Sequence, residues 1–164
     1  NKDSAESNYY NRNLDRILVM RSSFPWKSHL FDIEKERNLF EKKHFLYVLY
    51  PDSHGKTRVQ AVPAREDSFE SRLGRPPLFL LLVVLLCVPH SCENWILLFL
   101  FISLFSALPA EWRGLRNKEL SEKAGIRDCI FVHASGFIGA HETEEGGIEM
   151  ALKAMEIGEK EGKL

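Results

Sequence analysis

Cys129-Ile-Phe-Val-His-Ala-Ser-Gly-Phe-Ile-Gly-Ala-His141 is the stretch on which the reading of this 164-residue chain turns. Cys129 to Val132 is a short apolar run, too short for a helix and rich in strand formers, so a buried strand is expected. His133, Ala134, Ser135 and Gly136 then leave the strand, and Gly136 and Gly139 permit a positive φ or close approach of backbone to a ligand. Thr143 to Ile157 follows as an amphipathic helix, with Ile148, Ala151, Leu152 and Met155 recurring at helical spacing. Strand, glycine loop and helix N-terminus in that order form a possible phosphate cradle, because unpaired N–H groups point outward there. Glu142, Glu144 and Glu145 stand at the same helix start and would repel a phosphate. A ligand-binding loop and a tight strand-to-helix connection packed by Phe137 and Ile138 both fit the pattern.

Working outward, Asn117 to Ala124 reads as a short helix, with Asn117 as N-cap, Leu120 and Ala124 facing inward and Gly125 ending it. Trp112-Arg-Gly-Leu115 reads as a tight turn whose Trp112 suits stacking on a base while Arg113 meets a phosphate. A packed Trp beside a surface Arg fits the same residues. Phe45 to Tyr50 and Arg58 to Val62 are expected to form a hairpin around Pro51-Asp-Ser-His-Gly-Lys56, and the first run is apolar throughout, as in a strand covered on both faces. Arg65 and Arg72, beyond it, either belong to a solvated loop or face an anion. Ile17 to Met20 is a further strand, and a short helix begins at Trp26. Trp26 and His29 read either as substrate contacts or as a core Trp with a surface His. Residues 1–13 are polar and expected to fray, and 158–164 to be a mobile tail.

The expected fold class is α+β: a mostly antiparallel sheet from strands at 17–20, 45–50, 58–62 and 129–133, with helices after Trp26, Asn117 and Thr143 packed against it. One domain, 14–73 with 108–157, would hold it. With 22 basic and 23 acidic side chains the formal net charge is −1, so nothing global signals nucleic acid or a membrane surface. Cys87, Cys92 and Cys129 are an odd set without a visible signal peptide, which fits a reducing, intracellular compartment. The first residue is Asn1, not Met, as in a processed or incomplete chain.

Leu78 to Val88 and Trp95 to Leu108 are almost wholly apolar, separated by Pro89-His-Ser-Cys-Glu-Asn94. A spanning helix needs about 20 apolar residues, and neither run is that long. A kinked span, a re-entrant hairpin anchor at 78–108, and a segment never selected to fold are the alternatives. Contiguous apolar surface of this extent drives aggregation or membrane association.

The Cys129 to His141 string, together with Leu108-Pro-Ala-Glu-Trp-Arg-Gly-Leu-Arg116, resembles the C-terminal part of the melanocyte proliferating gene family, a branch of the DHH phosphoesterase superfamily with an older label of metal-dependent protein hydrolase. Phe24-Pro-Trp-Lys-Ser-His29, and Val62-Pro63 followed by Ser68-Phe-Glu-Ser-Arg72, are similar to the same family and stand in its order. The resemblance implies the substrate-binding portion of a metal-dependent 3′–5′ RNA exonuclease, with His133, Ser135, Gly136, Gly139 and His141 at the scissile end and Trp112 and Arg113 gripping the next nucleotide. Family members commonly carry a glycine where this chain has Ala140. It also implies RNA or nucleotide as partner, a nuclear, cytoplasmic or mitochondrial location, and Mn or Mg in the full-length family. The metal-binding Asp-His-His signature is not found here, so no catalytic residue, metal ligand or resident metal is assigned and the missing N-terminal catalytic domain is expected to supply hydrolysis. Residues 74–107 interrupt the family pattern, which is expected of a translated intron. The reading from another class is a membrane-associated or interaction protein anchored by the apolar hairpin at 78–108.

Overall fold

The computed structural model describes residues 9, 11–38, 44–68, 71–72 and 108–161. It is α+β, built on a five-stranded sheet of β1 (Ile17–Val19), β2 (Tyr47–Pro51), β3 (Thr57–Ala61), β4 (Cys129–Val132) and β5 (Ile138–His141) in the order β1-β2-β3-β5-β4. β1 runs parallel to β2, and every other neighbouring pair is antiparallel. Three helices complete it: α1 (Trp26–Glu36), α2 (Asn117–Ala124) and α3 (Glu144–Lys160). The apolar block at 74–107, with its anchor and intron readings, lies outside the described residues. Among the described residues no helix is long and apolar enough to cross a membrane.

β2 shows why its sequence is apolar without alternation. Tyr47 and Leu49 point into the main core with Val59, Leu120, Met150, Leu152 and Met155, whereas Val48 points the other way, onto Met20, Trp26, Leu30 and Val62. Thus α2 and α3 cover one face, and α1 covers the β1–β2 part of the other. Trp26 is a core residue of the second cluster, and His29 is exposed.

The β2–β3 turn is closed by Asp52. Its Oδ1 accepts the N–H groups of His54 (2.8 Å) and Lys56 (3.0 Å), and its Oδ2 pairs with Arg58 at 2.8 Å, while Gly55 takes a φ of 75°. Desolvation acts to raise the Asp52 pKa, but the two N–H groups and the Arg58 guanidinium outweigh it and hold the carboxyl below its ordinary range.

Arg72 does not lie in a solvated loop, and the anion it faces is a carboxylate of the chain itself. Its guanidinium forms a two-pronged pair with Glu34 of α1 at 2.7 and 2.5 Å, donates to the carbonyls of Pro63 and Phe45, and is fully buried with its partner. The fork satisfies both charges where water cannot, which is the condition for burying an ion pair.

Three local expectations differ. Residues 11–13 are helical rather than frayed, and α3 extends one turn past Ile157, with Gly158 buried. Asn117 is the first helical residue, not the cap, and takes a φ of 46°.

The larger difference is β5. The expected strand–loop–helix passage over 129–143 is a hairpin, with a turn at His133 to Phe137 and a second strand before α3. The helix N-terminus therefore stands at the opposite end of β5 from the glycine turn, so the two do not form one cradle. Glycine in mid-strand concealed this: at Gly139 an added Cβ would lie 3.0 Å from Met150 Cε, 3.1 Å from the Phe131 carbonyl and 3.2 Å from Leu108 Cδ1. Gly139 is closely packed beneath α3.

Candidate functional site

The β4–β5 turn is drawn together by its own polar atoms. His133 donates its N–H to the Ile138 carbonyl at 2.9 Å, and its carbonyl accepts the Gly136 N–H at 2.8 Å; Gly136 has a φ of 72°. The His133 Nδ1 lies 2.7 Å from the Ser135 Oγ and accepts the Ser135 N–H at 3.2 Å. With Nδ1 accepting, the neutral ring carries its proton on Nε2, and the side chain is exposed. Phe137 meets the imidazole edge-on, with ring centroids 5.1 Å apart.

The 108–116 segment comes to the same end of the sheet. Leu108 N–H donates to the Gly136 carbonyl at 3.0 Å, and the Leu108 carbonyl accepts from Arg113 Nε at 3.3 Å. Gly114 N–H donates to the Val132 carbonyl, and Val132 N–H to that of Leu115. Arg113 is half-buried, and desolvation disfavours its charge while Glu161 favours it. The structure thus brings His133, Ser135, Gly136 and Arg113 to one edge.

It does not bring the other three expected residues there. Trp112 is completely buried in the main core, so its ring has no face on which a base can stack; among the described residues its Nε1–H has no acceptor. Gly139 is inside β5. His141 ends that strand, roughly 10 Å along it from the turn at a strand rise of ~3.3 Å per residue. The His141 ring is buried and used internally: Nε2 donates to the Arg127 carbonyl at 2.6 Å and Nδ1 accepts the Thr143 N–H at 3.0 Å. Those bonds fix the loop before α3, where Thr143 Oγ1 caps Gly146 N–H at 3.2 Å.

Sequence reasoning missed a cleft of about 490 Å³ at this far end, lined by Asn117, Lys118, Ser121, Arg127, Asp128, Cys129, Ile130 and Glu142. Both cations and carboxylates line it, and only the pairing of Cys129 with His141 across β4 and β5 brings those segments together. Burial pushes the Cys129 thiol up to about 11, which leaves it a poor nucleophile. Among the described residues no group of three or more His, Cys, Asp or Glu side chains is placed to hold a metal ion.

The profile of the MYG1 exonuclease family, described as an uncharacterised protein family (UPF0160), matches residues 2–79 and 103–155. The chain belongs to the MYG1 exonuclease family. Its MYG1 relatives include the MYG1 protein C694.04c of Schizosaccharomyces pombe, 42% identical over 142 residues, which are 86% of this chain and 32% of that protein. The Caenorhabditis elegans MYG1 protein C27H6.8 is 39% identical over 146 residues, 88% of this chain and 33% of its own. The MYG1 exonuclease of Mus musculus is 40% identical over 135 residues, 82% of this chain and 26% of its own. The chain therefore spans a third or less of the length of these relatives. No solved structure matches it.

Proposed function

We propose that this chain is the substrate-contacting portion of a metal-dependent 3′–5′ RNA exonuclease of the DHH phosphoesterase type, with hydrolysis supplied by further chain of the kind its longer relatives possess. The observation that carries this reading is the turn itself, where His133, Ser135 and Arg113 converge at an exposed sheet end in a family whose mouse member is named an exonuclease. His133 Nε2–H meets a phosphate oxygen of the strand end, Ser135 holds the ring in that orientation, and Arg113 adds positive charge beside it. Trp112 acts from beneath as packing. The family-interrupting block at about 74–107 is a translated intron in this reading, and sequencing the mature transcript across it tests that directly.

The test of function is binding of a short labelled RNA, followed by fluorescence anisotropy. His133→Ala, at an exposed position, is expected to weaken binding about tenfold, the loss of one charge-assisted hydrogen bond, and Ser135→Ala, which removes one of the two groups that orient the ring, to weaken it by less. Equal affinity for parent and variants would remove the turn from the substrate site. In Mn²⁺ the chain alone is expected to leave the RNA intact; shortening of the RNA would place catalysis within these residues and refute the division of labour.

A further inference from the structure

The sheet face opposite α2 and α3 carries a row of side chains outside the turn itself. Phe131 pairs with Ala140, Ala140 with Arg58 and Arg58 with Tyr50 across four strands, and Arg116 bridges to Phe131 from outside β4. The Arg58 guanidinium carbon lies 5.1 Å from the centre of the Phe131 ring, and that of Arg116 lies 5.8 Å from it. Ala140 makes this possible: its methyl is small enough for Arg58 to cross over it to the aromatic ring, and it is fully covered as a result. Asp52 Oδ2 pairs with Nη2 of that Arg58 guanidinium at 2.8 Å, and the Tyr50 hydroxyl donates to Gln60 Oε1 at 2.9 Å beside it. Arg116 is exposed, and Phe131, Arg58 and Gln60 are half-exposed. Among the described residues the helices packed on β3, β4 and β5 are α2 and α3, both on the other face.

We infer that the Arg116–Phe131–Arg58 row is a binding platform for single-stranded RNA, continuous with the hairpin turn and resting on the exonuclease reading above. The occupant is argued from complementarity. The exposed Arg116 guanidinium offers a planar, forked donor to phosphate oxygens, Arg58 adds the nitrogens that Asp52 does not take, and the half-exposed Phe131 ring between them offers an aromatic edge to a base. His133 follows Phe131 by two residues along β4 and its exit, about 7 Å at a strand rise of ~3.3 Å per residue, so the turn stands beside the β4 end of the row.

The experiment uses the 164-residue chain, a short labelled single-stranded RNA and, as a base-free polyanion, labelled polyphosphate. Arg116→Glu changes an exposed side chain, and Phe131→Leu keeps the apolar contact while removing the ring. Arg116→Glu is expected to weaken RNA binding at least tenfold and to lower the slope of log affinity against log salt by about 0.7 or more, because at least one phosphate contact is lost. Phe131→Leu is expected to cost about tenfold for RNA, leave its salt slope in place and leave polyphosphate binding unchanged. RNA binding that is insensitive to both changes but lost in His133→Ala would overturn the platform and spare the turn. No RNA binding by the parent chain would overturn both readings. Sedimentation supplies the remaining arm: self-association abolished by Arg116→Glu, with RNA affinity unaltered, would assign the face to a second copy of the chain and overturn the proposal.

Discussion

His141 and Gly146 are a matched pair, and their fit explains the Gly146-Gly147 dipeptide inside α3, where glycine costs about 1 kcal/mol relative to alanine. A Cβ at Gly146 would fall within the His141 ring, and one at Gly147 would stand 2.8 Å from the Thr57 methyl. Gly146→Ala is expected to destabilise the chain by about 1–3 kcal/mol through overpacking, measured from the urea midpoint. The same change in a His141→Ala background should cost much less, since the ring is gone; an equal cost in both backgrounds would show that the two do not interact. Cys129 offers a pH test. Its thiol is raised from 9.0 to about 11 by burial, so the folded state favours the protonated form. The stabilisation is fully present below pH 9 and is lost as pH rises through 11. Cys129→Ala should flatten the fall of stability across that window, and an unchanged slope would assign the fall to other groups.

Among the elements, α1 is tied to the sheet by an ion pair as well as by Trp26 and Leu30. Removing one partner leaves a buried charge alone, so Glu34→Ala is expected to lose about 3–5 kcal/mol by denaturant titration, whereas Glu34→Leu with Arg72→Met should recover most of it. Retention of full stability in Glu34→Ala would mean that the Arg72 guanidinium reaches water. The hairpins show how far pattern reading extends. Pro51 to Lys56 was legible because its turn chemistry is local: Asp52 bonds the backbone two and four residues on, and Gly55 supplies the positive φ. The second hairpin carried a Ser-Gly turn signal of its own, but Ile138-Gly-Ala-His141 lacks the branched and aromatic side chains that announce a strand. Its strand character comes from lying between β3 and β4, where both of its edges are hydrogen-bonded.

Across the molecule, the two chain ends that flank the apolar block are each hydrogen-bonded to the described fold. Arg72 N–H donates to the Val62 carbonyl at 3.0 Å, and Leu108 N–H to that of Gly136 at 3.0 Å, while Ala61 N–H donates to Phe137 and links those anchors through the same end of the sheet. The family profile resumes at residue 103 after stopping at 79. A chain lacking residues 80–102 is therefore expected to unfold as cooperatively as the parent, with equal hydrogen-exchange protection in β3 and β5. Loss of that protection would show that the block belongs to the fold. The α+β class, the strands of the first hairpin and the three helices were legible in sequence because each rests on local periodicity or turn chemistry. Family membership was legible because Trp112 to Leu115 and Cys129 to His141 are specific strings. Tertiary structure decided the rest. It turned Trp112 inward, sent His141 to the far end of β5, buried Arg72 against Glu34, and laid Arg58 and Arg116 on one ring. A side chain's face and partners depend on which distant strands pair and in what register, and no window of local sequence contains that information.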